Sequence, residues 1–240
     1  MTLREKKYYP WIVVGLLWVV ALLNYMDRQM LSTMQQSIGV SIPPIQDPAN
    51  FGRLMAVFLW IYGFMSPLSG AIADRLNRKW LIIGSLGVWS AVTSLMALCT
   101  SFDQIFWLRA LMGVSEALYI PAGLSLIADY FTGSSRSMAI GVHMTGLYMG
   151  QALGGFGATV AAVFSWQQTF HWFGIAGLVY AVVLIVFLHD KRDNSVTTEA
   201  RDLEGSEAVE IDIEKKRRNA PKESDLQSFA LIFSNIAFWV

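Results

Sequence analysis

Four ionisable residues sit where an apolar chain can least easily hold them. Asp27 and Arg28 fall in the hydrophobic run Trp11–Thr33, and Arg109 and Glu116 fall in the run Ile105–Phe131. If they faced lipid near the bilayer centre, each would cost about 2.5–3.5 kcal/mol and the set about 10–14 kcal/mol. Such residues therefore face a bundle interior or a watery cavity, where charges commonly mark substrate and proton pathways. The plainer alternative is a buried ion-pair network that only fixes helix packing. Seven residues separate Arg109 from Glu116, which brings them within about 20° of the same helix face, two turns apart. Asn24 and Arg28 are four apart and share a face, with Asp27 and Tyr25 beside them. A carboxylate taken out of water holds a proton more readily, a neighbouring arginine opposes this, and an anion that neutralises the arginine restores it. Two acids beside two arginines thus offer a physical route to coupling proton and anion movement.

The elements that carry these residues follow from composition. Of the 240 residues, 54% are hydrophobic and 15% charged, against about 25% charged in soluble domains. The charges are also concentrated: residues 190–225 hold 8 of the 18 basic and 11 of the 18 acidic side chains. This excludes a soluble globular domain, a disordered chain and a basic nucleic-acid binder. A spanning helix needs about 20 mostly apolar residues, and six stretches qualify: Trp11–Thr33, Phe51–Ala73, Trp80–Cys99, Ile105–Phe131, Met138–Phe164 and Phe170–His189. Their connectors are short, which makes sequential helices antiparallel neighbours. The exception, Met34–Asn50, holds three prolines and is expected to be irregular. The first run is too long and too charged for a cleaved signal peptide. Lys and Arg gather on one side, at Arg4, Lys6 and Lys7, Arg75, Arg78 and Lys79, Arg136, and Lys191 and Arg192, leaving Arg53 on the other. That asymmetry puts the N-terminus, the 2–3 and 4–5 connectors and the tail in the cytoplasm. Trp11, Trp80, Trp107, Trp166 and Trp172 lie near span ends, as interfacial anchors should.

Three domains are expected: a bundle over residues 1–190, a charged cytoplasmic linker over 191–225, and a segment over 226–240. In that last segment, Leu226, Phe229, Ala230 and Phe233 suggest a short amphipathic helix, and a seventh span then begins. The chain is read as about half of a larger membrane protein, or a truncated gene product. Cys99 is alone and reads as packing, and His143, His171 and His189 are scattered, with no metal-ligand spacing. The sequence contains no nucleophile–base pair and no phosphate-binding loop, so neither an enzyme nor a cofactor is expected.

Glycines at 141, 146, 150, 154, 155 and 157 give the fifth span either a tight packing face or a rocking surface. Pro67 and Pro121 should kink the second and fourth spans. The 2–3 connector reads GAIADRLNRK, with Gly70 and Asp74 a turn apart and Arg75, Arg78 and Lys79 following.

These residues resemble the signature between helices two and three of major facilitator superfamily transporters, with Asn77 where glycine is usual. NYMDR (24–28) and RALMGVSEALYIPA (109–122) are similar to the helix-one and helix-four motifs of the anion:cation symporter family and the related Spinster-like carriers. The 4–5 connector keeps Arg136 but has Thr132 and Ser135 where proline and glutamate are common. The resemblance implies an all-α membrane protein, a six-transmembrane-helix bundle that is half of a twelve-helix fold and is built of two inverted three-helix repeats. It also implies that Arg28 and Arg109 contact an anionic substrate, with Tyr25 and Asn24 lining the cavity. Asp27 and Glu116 would handle protons. Gly70, Asp74, Arg75, Arg78, Lys79 and Arg136 would belong to cytoplasmic gating. The function so implied is proton-coupled symport of an organic anion such as a hexuronate, in the plasma (inner) membrane, with a Spinster-like carrier of lysolipids as the second reading. The implied partners are a small organic anion, protons, the bilayer and the other six-helix half, without which the chain alone should be inactive.

Overall fold

The computed structural model describes residues 8–191. Among them the chain is helical throughout, in the order α1 (Tyr9–Thr33), α2 (Gln35–Ser41), α3 (Pro48–Arg75), α4 (Arg78–Met96), α5 (Phe102–Ala117), α6 (Tyr119–Tyr130), α7 (Ser134–Gly154), α8 (Gly157–Phe164) and α9 (Trp166–Phe187). Five segments are long and apolar enough to cross a membrane: α1, α3, α4, the continuous apolar stretch Phe102–Tyr130, and α9. The α7–α8 pair, bent by 45°, makes the sixth. The linker and the 226–240 segment lie outside the described residues, as do Arg4, Lys6, Lys7 and Arg192.

The helix starts have local causes. Asp47 accepts from the Ala49 N–H at 3.0 Å, with Pro48 in the first turn of α3. Asn77, which departs from the usual glycine, accepts from the Trp80 N–H and so caps α4. Ser101 and Gln104 form a reciprocal capping box on α5. The Ser165 side chain accepts from the Gln168 N–H, holding a non-glycine residue at φ 78° and starting α9 immediately after α8. The expected five-residue connector Ser165–Thr169 therefore shrinks to one residue. The Met34–Asn50 connector is more ordered than expected: it forms α2 and a 3-10 turn at Pro43–Gln46. Trp166 is not an interfacial anchor, because it is buried and donates from its indole to Ser41 Oγ. Pro121 coincides with the break at Leu118: its missing N–H leaves the Ala117 carbonyl without its helical donor. Helix α3 runs unbroken through Pro67.

Packing follows the expected repeat. Helix α1 packs along α7, α3 along α5, and α4 along α9. Exchanging the first three spans with the last three maps the α1–α7 contact onto α5–α3 and α4–α9 onto itself. Gly146, Gly150 and Gly154 of α7 and Gly157 of α8 face α1. A Cβ at Gly146 would meet the Trp18 carbonyl oxygen at 2.6 Å, and one at Gly150 the Leu22 carbonyl oxygen at 2.2 Å. Backbone therefore lies against backbone, which is the tight-packing reading of these residues. Gly150→Leu should lower thermal stability in detergent by about 3 kcal/mol, at the upper end of the overpacking range, because neither backbone can retreat. Gly141→Leu, with open space around its Cβ position, should change little. Equal melting of the two variants would contradict this packing.

Candidate functional site

Adjacent residues on α1 point their charges in different directions. Arg28 reaches across to α5, where its Nε donates to Glu116 Oε2 at 2.6 Å. Glu116 is fully buried, while the Arg28 side chain keeps 18% of its surface exposed. This ion pair ties the first span to the fourth, the corresponding members of the two repeats. Three aromatic rings surround the Arg28 guanidinium, at 4.9 Å from Tyr25, 4.9 Å from Phe58 and 4.5 Å from Tyr62. Arg109 is also buried, and its guanidinium lies over the same Phe58 ring at 4.4 Å. One aromatic side chain of α3 is thus shared by both arginines. Cation–π contacts stabilise such cations without neutralising them, so the arginines keep their attraction for an anion.

The four charges stay close enough to act on one another electrostatically, but they are not equivalent. Glu116 pairs with Arg28 and not with Arg109. Asp27 turns the other way, toward α4, and accepts a hydrogen bond from Thr93 Oγ1. Its Oδ1 is buried without a hydrogen-bond partner, as are Arg28 Nη2, Arg109 Nε and Glu116 Oε1. Asn24 is fully buried, with both side-chain polar atoms unpartnered. Behind the site, Ser85 Oγ donates to the Ser115 carbonyl at 2.5 Å, fixing α4 against α5 beside Glu116. The sequence reading missed Phe58, Tyr62 and Thr93. The first two lie four residues apart on α3, a spacing that placed them on one face, but nothing in the sequence tied that face to α1.

Arg78 and Lys79, two of the six residues expected to gate, belong to a second polar cluster at the opposite end from the Met34–Asn50 connector. Arg78 is buried, and its guanidinium pairs with Asp129 at the end of α6 and donates to the Ser125 carbonyl at 3.0 Å. The Arg78 backbone N–H donates to Asp190 Oδ2 at 2.8 Å. Asp190, the last residue of the expected bundle, is 1% exposed and closes the bundle by capping α4, although it opens the charge-rich run 190–225. Lys79 Nζ donates to the Ile185 carbonyl, and Lys191 Nζ to the Asp129 carbonyl. Asp74, Arg75 and Arg136 are exposed. At Gly70 an added Cβ would meet nothing within 4 Å, so packing inside this chain does not require glycine there.

A six-span helical bundle with repeat-related contacts and a charged cluster joining its first and fourth spans defines half of a membrane-carrier fold. The Major Facilitator Superfamily profile matches residues 17–240, and the chain belongs to that family. It is 30% identical over 182 residues to Protein spinster of Drosophila melanogaster, covering 75% of this chain and 30% of that protein. It is 27% identical over 241 residues to the Galacturonate transporter of Dickeya chrysanthemi, covering 95% and 64%. The crystal structure of a bacterial homolog to human lysosomal transporter Spinster, in an inward-facing and occupied conformation, superposes with a TM-score of 0.68 at 24% identity. That match covers 78% of this chain and 46% of the other. The chain therefore spans less than two thirds of the length of these relatives.

Proposed function

We propose that this chain supplies the N-terminal half of a secondary active transporter for an organic anion, with a sugar acid of the hexuronate type as substrate and protons as the coupling ion. The observation that carries this reading is the Arg28–Glu116 pair between aromatic rings, next to Arg109. A carboxylate substrate that competes for Arg28 releases Glu116 from its partner. The freed acid then takes a proton, because a buried carboxylate without a cation nearby is costly as an anion. Anion binding and proton binding thereby favour one another. Arg28 and Arg109 hold the substrate, with Tyr25 and Asn24 beside it, and Asp27 and Glu116 take up and release protons during the cycle. Residues Gly70 to Lys79 with Arg136 control the cytoplasmic end of the path, and the carrier sits in the plasma (inner) membrane with the 2–3 and 4–5 connectors in the cytoplasm.

The likeness to the galacturonate carrier favours this substrate. The likeness to Spinster proteins favours the second reading, a carrier of lysolipids or other amphiphiles. A proteoliposome uptake screen of the carrier with both six-helix halves, offering hexuronates and lysolipids with and without a pH gradient, separates the two. Gradient-driven hexuronate uptake is expected; uptake of lysolipid alone would reject the first reading. Alternating access needs one half to rock against the other. The 240-residue chain in liposomes by itself should therefore show no substrate-dependent uptake, and robust uptake would contradict the half-carrier assignment.

A further inference from the structure

The end of the bundle that carries the Met34–Asn50 connector holds an open cavity that the arginine site does not use. It is lined by Ser32 and Thr33 of α1, Gln35, Gln36 and Val40 of α2, and Gln46 of the 3-10 turn. Its free volume is about 740 Å³, within the range of about 300–1,000 Å³ typical of small-molecule sites. Two of its amides are held from behind. Gln35 Nε2 donates to the Ile45 carbonyl at 3.3 Å, and Gln46 Nε2 donates to the Gly39 carbonyl at 2.9 Å. Gly39 makes room for the second of these, since a Cβ there would sit 2.6 Å from Gln46 Cγ. Each anchored amide keeps its Oε1 and its second N–H for other partners. Ser32 and Gln36 are exposed, so their polar groups hold water that a ligand displaces. Thr33 Oγ1 donates to the Met30 and Gly154 carbonyls at 3.0 and 3.2 Å, so it meets a ligand as an acceptor.

We infer that this cavity is an outer subsite for a neutral polyhydroxylated ring, the pyranose of a sugar. Its lining consists of three amides, two hydroxyls and one aliphatic side chain, with no ionisable group. An anion entering it would exchange water for neutral dipoles and find no cation, and a cation would find no carboxylate. A sugar hydroxyl both donates and accepts, and a primary amide presents an acceptor and a donor side by side. Val40, 77% exposed, supplies an apolar surface for the C–H face of the ring.

The place of the subsite in a transport cycle rests on the sugar-acid reading above; its chemistry does not. Ser32 follows Arg28 by four residues, on the same face of α1 and about 6 Å further along its axis. A sugar acid arriving from that end therefore meets amides and hydroxyls first and arginines second. The two levels sort by different properties. A carboxylate without hydroxyls gains nothing at the outer level, and a neutral sugar gains nothing from the arginines. Only a molecule with both features is held at each step inward, which narrows the substrate class to hydroxylated acids.

The test is equilibrium dialysis of radiolabelled methyl galactopyranoside, a neutral ring, against the purified 240-residue chain in a detergent without a sugar headgroup. Saturable binding in the millimolar range is expected for the wild type, and acetate should not displace it. Gln36→Leu should weaken binding at least tenfold and Ser32→Ala at least threefold. Gln168→Leu, which removes an exposed amide at the start of α9 outside the cavity, should bind as the wild type does. No saturable binding to the wild type would overturn the inference. So would displacement by acetate, which would put the ring at the arginines, and so would wild-type binding in both Gln36→Leu and Ser32→Ala. In the two-half carrier, Gln36→Leu should raise the KM for galacturonate uptake at least fivefold with the maximal rate unchanged; an unchanged KM would overturn its place on the transport path. Galacturonate uptake by that carrier without sugar binding to the chain would remove the subsite and keep the proposed function. Sugar binding to the chain without galacturonate uptake would keep the subsite and remove the function.

Discussion

Glu116→Ala should destabilise the bundle by about 3 kcal/mol, at the lower end of the range for breaking a buried ion pair, because Arg28 keeps some exposure. The alanine removes the carboxylate paired with Arg28 and leaves that cation among Tyr25, Phe58 and Tyr62 without an ion-pair partner among the described residues. Glu116→Gln behaves differently. Its amide oxygen still accepts from Arg28 Nε, so the fold should hold to within about 1 kcal/mol. The glutamine cannot exchange a proton, and it cannot be released from Arg28 as a free acid. Gradient-driven uptake by the two-half carrier should therefore fall at least 100-fold in Glu116→Gln, while binding of the anion survives. Thermal unfolding in detergent and proteoliposome uptake read the two effects separately. Wild-type uptake by Glu116→Gln, with an unchanged response to the pH gradient, would remove Glu116 from the coupling scheme.

Asp129→Ala should cost a similar amount, about 3 kcal/mol, at the other end of the bundle. The Arg78 side chain is 6% exposed and that of Asp129 is 30% exposed, so the truncation strands a nearly buried guanidinium with the Ser125 backbone carbonyl as its remaining acceptor among the described residues. Breaking such a pair from one side leaves the larger penalty, because the surviving charge stays out of water. Asp129→Asn should recover about half of the loss by accepting one hydrogen bond. A double change, Arg78→Leu with Asp129→Leu, should be more stable than Asp129→Ala alone, since no charge is left behind. Melting temperatures of the three variants give the ranking, and an Asp129→Ala protein as stable as the wild type would show that the pair is solvated in solution.

Much of the fold was legible because lipid imposes coarse demands. Twenty-residue apolar runs, short connectors and basic loops sufficed to place six spans with errors of a few residues at each end. The errors have physical causes. Ser165 begins α9 four residues early because a side-chain cap, not hydropathy, sets that start. The connector after α1 folds into α2 and a 3-10 turn because its prolines sit at turn starts, where the missing N–H costs little. At the site, helical periodicity related Arg109 to Glu116, but it could not show that Glu116 would choose Arg28 over Arg109. That choice depends on how α1 and α5 approach each other, a property of packing across long sequence separation. Asp27 and Arg28, neighbours in sequence, reach different helices, α4 and α5, because successive side chains on a helix diverge by about 100°. The capping role of Asp190 was not legible because its sequence context is a run of charges, and burial by a neighbouring helix start leaves no mark on composition.

The contact between α1 and the glycine face of α7 has a mechanical consequence. With carbonyl oxygens of one helix nested where the other has no side chain, the two spans have no layer of side chains on which to slip. They must tilt as one block, and Leu22 should keep its distance from Gly150 whichever way the carrier opens. Rearrangement then falls to faces without such an interlock, such as the side of α3 bearing Trp60 and Phe64, both largely exposed. A carrier built this way is stiff along one seam and yields along another.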